Sequence, residues 1–106
     1  MSTEDKKKQL ETDKKFISMA DDFINQANNF CSDETDHRLV HASLLYASAR
    51  FSAFLTSAMS ETLEKYDEST DKAIEFYLEE YEKMLKEHFK QYRTSFNKRE
   101  TPPYPY

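Results

Sequence analysis

The sequence contains no glycine and no tryptophan, a single cysteine, and three prolines that all fall within the last five residues. Tight β-hairpin turns depend on glycine at positions with positive φ, so an all-β fold is disfavoured. The missing glycine also excludes the P-loop and the dinucleotide-binding fingerprint, because both require it. These absences favour a helical chain and remove two classes of nucleotide-binding protein.

Long apolar runs and cysteine pairs are missing as well. No stretch approaches the ~18 consecutive apolar residues that a membrane span needs. Lys6, Lys7 and Lys8 are followed by polar residues, not by the apolar segment of a secretory signal. Cys31 has no second cysteine with which to form a disulfide, and a lone thiol suits a reducing compartment. We therefore predict a cytoplasmic protein with no membrane partner.

Charge is plentiful and unevenly spread along the 106 residues. The net charge is −5, and residues 61–82 are mainly acidic whereas residues 83–100 are mainly basic. Phe89, Tyr92 and Phe96 lie among the basic residues, a pattern that single-stranded nucleic acid can use. Those rings fit the apolar face of a helix, however, and the charge order matches a helix dipole. We predict no nucleic-acid partner.

Apolar residues recur every three or four positions in three segments, which is typical of amphipathic helices. The second segment is apolar or small on almost every face and is therefore predicted to be buried between neighbours. The predicted fold class is all-α, a three-helix antiparallel bundle with a buried central helix. The stripes are Phe16, Ala20, Phe23, Ala27 and Phe30; Val40, Leu44, Ala47, Phe51, Phe54 and Ala58; and Ile74, Leu78, Tyr81, Leu85, Phe89, Tyr92 and Phe96.

Polar segments set the predicted boundaries. Residues 1–11 lack periodicity and are expected to form a flexible, disordered N-terminal arm or a weak helical extension. A single three-helix domain covers 12–98, with a break at about 31–36 and a linker at 60–70, where Ser69 or Thr70 caps the third helix. The Pro/Tyr segment at 99–106 cannot continue a helix and is predicted to be an extended or disordered C-terminal tail. Asp33, Thr35 or Asp36 is the candidate cap of the second helix.

Arg50 interrupts the apolar central helix, with Tyr46 one turn before it. A buried guanidinium needs a carboxylate partner, so an ion pair between helices is one interpretation and a side chain reaching solvent is another. A third is an anion site between the first two helices, with Asn25, Asn28, Tyr46 and Arg50 as candidate binding residues.

Metal binding and catalysis find little support in the sequence. His37 and His41 are four residues apart and are weak candidates for zinc, but the glutamate of a metalloprotease helix is missing after His37. Acidic neighbours make Cys31 a poor nucleophile. We predict no catalytic residues, no metal and no cofactor.

Two motifs carry a resemblance to a known family. FINQAN at 23–28 and SLLYASARFSAF at 43–54, with Phe76, Tyr81 and Lys83-Met84-Leu85 further on, resemble a family of short proteobacterial proteins of unassigned function. The resemblance covers about residues 14–97. It implies a bacterial, cytoplasmic, helical protein, and it brings no catalytic residues with it.

Two functions remain open from the sequence. The first is a non-enzymatic protein-interaction module that self-associates, as a homodimer, because helices this long expose much of their surface unless a second chain covers it. The alternative is a small-molecule or anion-binding protein with its site around Arg50. The small residues Ala42, Ala49 and Ala53 permit close helix packing, either within one chain or at a dimer seam.

Overall fold

The computed structural model of the protein describes residues 2–96, and the regular structure in this range is helical throughout. α1 spans Thr3–Phe30, α2 spans His37–Met59 and α3 spans Leu63–Phe96. Three helices and no strand within residues 2–96 confirm the predicted all-α class. The predicted tail at 99–106 lies outside the described residues.

The contacts divide the described chain into two compact units, residues 2–44 and residues 45–96. The first unit holds α1, the connection at 31–36 and the first turns of α2. The second unit holds the rest of α2 and all of α3. The single domain over 12–98 and the packing of all three helices together stay predictions.

The N-terminal segment is helical from Thr3, so the structure shows the helical extension and not a disordered arm over residues 3–11. Ser2 caps the helix, because its hydroxyl accepts a hydrogen bond from the Asp5 amide at 3.1 Å. Glu4 and Asp5 lie in the first turn, where the helix dipole favours negative charge. The helix thus begins well before Thr12, as the alternative of a helical extension predicts, whereas the domain boundary at residue 12 stays a prediction.

The predicted break at 31–36 is confirmed, since α1 ends at Phe30 and α2 begins at His37. Ser32 organises the turn: its hydroxyl accepts hydrogen bonds from the amides of Glu34 and Thr35 at 3.2 and 3.1 Å. Of the three candidate caps, Asp36 is the one used, because its Oδ1 accepts from the Arg38 amide at 2.8 Å. The Arg38 guanidinium also contacts the Asp36 carboxylate at 2.9 Å.

The hydrogen bond from the Arg38 side chain, followed by that from its backbone amide, lowers the pKa of Asp36 below its ordinary value. A lowered folded-state pKa stabilises the fold above the ordinary pKa, and the gain is lost as the pH falls through the folded value. We expect Asp36→Ala to lower the melting temperature at neutral pH. Asp36→Asn, which keeps an acceptor for the Arg38 amide, should lower it less.

Thermal unfolding followed by circular dichroism at neutral and acid pH checks this expectation. The difference between wild type and Asp36→Asn should shrink in acid, because protonation removes the charge that distinguishes the two side chains. A difference independent of pH would contradict the role assigned to the carboxylate.

The start of α3 was predicted too late, because the helix begins at Leu63 and not after Ser69 or Thr70. Thr62 is the cap, and its hydroxyl accepts from the Lys65 amide at 3.1 Å. The Ser69 and Thr70 hydroxyls donate instead to carbonyls of the preceding turn. Polar residues that favour caps are thus accommodated inside the helix, and the linker shrinks to residues 60–62.

Within the second unit, α2 and α3 form an antiparallel helical hairpin. Tyr77 lies opposite Ser52 and Thr56: its Oη is 3.4 Å from Thr56 Oγ1 and donates to the Ser52 carbonyl at 3.4 Å. The three-residue connection brings the end of α2 next to the start of α3, as short loops between helices do.

The predicted burial of the central helix is not confirmed, because most residues of α2 are exposed. Val40, 9% exposed, is the one buried hydrophobic residue between residues 2 and 96. Phe51 and Phe54 are 62% and 61% exposed. Apolarity on every face requires cover on every side, and the second unit supplies a single neighbour for this part of α2.

Candidate interaction surface

A groove lies between α2 and α3 in the second unit. Its volume is ≈ 500 Å³, and α2 contributes its smallest side chains to it, including Ser48, Ala49, Ser52 and Ala53. Small side chains let two helices approach closely, because little bulk separates the backbones. Of these four residues, Ser52 is half-buried and the other three are exposed, so both uses considered for the small residues, packing within the chain and a dimer seam, stay open.

The matching face of α3 was missed in the sequence. Its half-buried residues recur every three or four positions but mix rings with polar and small side chains, so they do not register as an apolar stripe. The signal was available in their spacing, which pairs with the small face of α2. They are Tyr66, Ser69, Thr70, Ala73, Tyr77 and Glu80.

The larger apolar face of α3, here called the α3 stripe, adjoins the face that contacts α2, and its members Ile74, Leu78 and Tyr81 also line the groove. Counted at 3.6 residues per turn, the centre of the stripe is rotated by roughly a third of a turn from the centre of that face. All seven members are exposed, from 37% for Leu85 to 68% for Phe89. The α3 stripe consists of Ile74, Leu78, Tyr81, Leu85, Phe89, Tyr92 and Phe96.

The bulky face of α2 is also uncovered within the second unit. Phe51 and Phe54 lie on the side of α2 opposite the groove, and their ring centroids are 6.0 Å apart. Small and polar side chains meet in the hairpin together with large apolar ones, among them Leu45 and Met84. Much of the apolar surface of both helices nevertheless remains exposed within the second unit.

The proposed anion site is divided between the two units. Asn25 and Asn28 lie one turn apart on α1, whereas Tyr46 and Arg50 lie one turn apart on α2 in the other unit. Asn28 is half-buried, Asn25 and Arg50 are exposed, and Tyr46 is 73% exposed. The four-residue site stays a prediction, because the structure describes the two pairs separately.

Among residues 45–96 the ion pairs are Lys65–Glu61, Lys83–Glu80 and Lys86–Glu82, and none of them involves Arg50. The guanidinium is exposed, which fits a side chain that reaches solvent. An ion pair with α1, which lies in the other unit, stays a prediction.

The weak metal candidates, His37 and His41, lie on the first turns of α2, with His37 half-buried and His41 exposed. Within the described part of the chain, no group of three His, Cys, Asp or Glu residues is arranged to hold a metal ion. Cys31 is half-buried, and its thiol donates to the Ala27 carbonyl at 3.4 Å.

None of the helices between residues 2 and 96 combines the length and apolarity needed to cross a membrane. Residues 16–93 match the model of a family described as a protein of unknown function (DUF3144). This range includes both motifs that carried the resemblance and most of the α3 stripe. No curated protein and no solved structure matches the chain.

Proposed function

Because the chain belongs to the DUF3144 family, whose function is unknown, we propose a role from its own surface: a non-enzymatic helical interaction module that acts by self-association. The observation that carries the proposal is the exposure of the α3 stripe. Its seven apolar residues form a continuous band on one side of a 34-residue helix.

Exposed apolar bands of this size are uncommon on monomers. The largest apolar patch on a typical soluble monomer is about 300–600 Å² and often marks an interaction site. The seven side chains of the α3 stripe are about half exposed on average and present on the order of 100 Å² each. The band therefore reaches or exceeds the upper end of that range, and covering it is strongly favoured in water.

A second copy of the chain is the simplest partner that could cover the α3 stripe. Most soluble oligomers are symmetric homo-oligomers, and in a two-fold dimer the same patch on each copy covers the other. Pairing two α3 stripes removes on the order of 1,000 Å² from water, the size at which specific interfaces begin. The dimer and a cytoplasmic location are both parts of this proposal.

Thermal unfolding at increasing protein concentration tests self-association. A dimer that dissociates on unfolding has a melting temperature that rises with chain concentration, because mass action favours the associated folded state. We expect the melting temperature to rise between micromolar and millimolar chain. A melting temperature that is constant over this range would overturn the proposal.

The alternative, an anion-binding protein, rests on the exposed guanidinium of Arg50 beside Tyr46. Inorganic phosphate at 100 times its dissociation constant adds about 2.7 kcal/mol of stability to a protein that binds it. A rise in melting temperature with phosphate that is absent in Arg50→Met, together with no dependence on chain concentration, would favour this role over self-association.

A further inference from the structure

We infer that two copies of the chain pair through their α3 helices in antiparallel orientation, with the two-fold axis at Leu85. This inference rests on the self-association proposed above and specifies its geometry. Two independent features of α3 carry it: the spacing of the apolar stripe and the order of the charges beside it.

The spacing of the α3 stripe is symmetric about Leu85. Its intervals are four, three and four residues up to Leu85 and four, three and four residues after it. In an antiparallel pair the partner helix runs in the opposite direction. A stripe whose spacing is the same in both directions therefore aligns with its own copy at every position. Leu78 then lies opposite Tyr92 of the partner subunit, and Leu85 lies opposite Leu85 of the partner subunit.

The charges on one edge of the stripe give the second argument. Glu75 and Glu82 lie along this edge before Leu85, and Lys86 and Arg93 lie along the same edge after it. All four are exposed. In an antiparallel pair the acidic half of each edge faces the basic half of the other, so that Glu75 approaches Arg93 of the partner subunit.

A parallel pair would keep these charges apart. Its two-fold axis runs along the helices, so the charged edges of the two copies lie on opposite sides of the interface. Glu75 would then meet neither Glu75 of the partner subunit nor Arg93 of the partner subunit. The charge order therefore adds attraction across the interface only in the antiparallel pair, and this favours that pair among those that the apolar stripe alone permits.

The face of α3 that contacts α2 leaves the stripe accessible to a second copy. Tyr77 is half-buried and bonded to α2. Ile74, Leu78 and Tyr81 line the edge of the groove between α2 and α3, yet they stay 56%, 64% and 40% exposed. Each hairpin can therefore keep its own α2 while its α3 meets a second α3, and the two hairpins together contribute four helices to the pair.

Cysteine cross-linking of the full chain tests the geometry. In a Cys31→Ser background, three single variants are oxidised in separate tubes: Leu85→Cys, Leu78→Cys and Tyr92→Cys. A disulfide requires Cα atoms within about 7 Å. Position 85 meets itself at the axis, whereas the two copies of position 78 lie roughly 21 Å apart along an antiparallel pair.

We expect Leu85→Cys to become a covalent dimer in most chains. Leu78→Cys and Tyr92→Cys should give only traces alone, but should form the mixed disulfide when combined. Efficient cross-linking of Leu78→Cys to itself would indicate a parallel pair and overturn the inference.

Light scattering on the reduced Cys31→Ser chain separates the two proposals. A dimeric mass without a disulfide at position 85 would overturn the pairing at Leu85 and leave self-association standing. A monomeric mass would overturn both.

Discussion

Leu85→Glu is expected to convert the dimer into monomers. The substitution places two carboxylates next to each other at the two-fold axis, where the pairing removes them from water. Burying a charge without a partner costs several kcal/mol, so we expect the dissociation constant to rise about a hundredfold or more. Light scattering at a fixed chain concentration measures the change.

Phe76→Glu is the matched control for this variant. Phe76 is another exposed apolar residue of α3, 57% exposed, but it lies on the side of the helix opposite the α3 stripe. We expect it to keep the dimeric mass, and circular dichroism should show the same helix content in both variants. Dissociation by Phe76→Glu as well as by Leu85→Glu would point to a general loss of folding.

A charge exchange between Glu75 and Arg93 is expected to break the dimer in two single steps and restore it in the double variant. Glu75→Lys places a cation next to Arg93 of the partner subunit, and Arg93→Glu places an anion next to Glu75 of the partner subunit. Each dimer contains two such contacts, so we expect each single change to weaken association roughly tenfold.

The double variant Glu75→Lys with Arg93→Glu restores opposite charges across the pair. Within one α3 the two residues are 18 positions apart, roughly 27 Å, so they cannot compensate each other inside the same helix. Recovery of the wild-type dissociation constant therefore requires contact between copies. High salt should reduce all of these differences by screening. Additive weakening in the double variant would contradict the antiparallel pairing.

The number of helices and the first break were predictable because local signals dominate there. Apolar spacing defined all three helices, and the polar residues at 31–36 compete for backbone hydrogen bonds. The start of α3 was not predictable in the same way. Thr62, Ser69 and Thr70 are all acceptable caps by residue type, and the choice depends on which hydroxyl meets a free amide.

The burial of α2 could be predicted only in part from its sequence pattern. Its apolar character indicates that several neighbours cover it, but it does not say whether those neighbours belong to the same chain. Phe51 and Phe54 are exposed in the isolated chain, although their pattern is that of core residues. The same pattern serves a core and an interface, because the hydrophobic effect does not distinguish chains.

The candidate site was predictable in part. The α3 stripe was identified from its spacing, but it was assigned to the core of the chain. The face of α3 that contacts α2, around Tyr77, was missed because it mixes polar, small and aromatic side chains. Arg50 was singled out as a rare charge in an apolar helix, and its exposure removes the need for a buried partner.

Sedimentation equilibrium of the wild-type chain from micromolar to millimolar concentration tests self-association most directly. The chain has a mass of 12.6 kDa. We predict a molar mass that approaches twice this value as the concentration rises, because two exposed α3 stripes cover each other. A mass of one chain at every concentration would contradict the account.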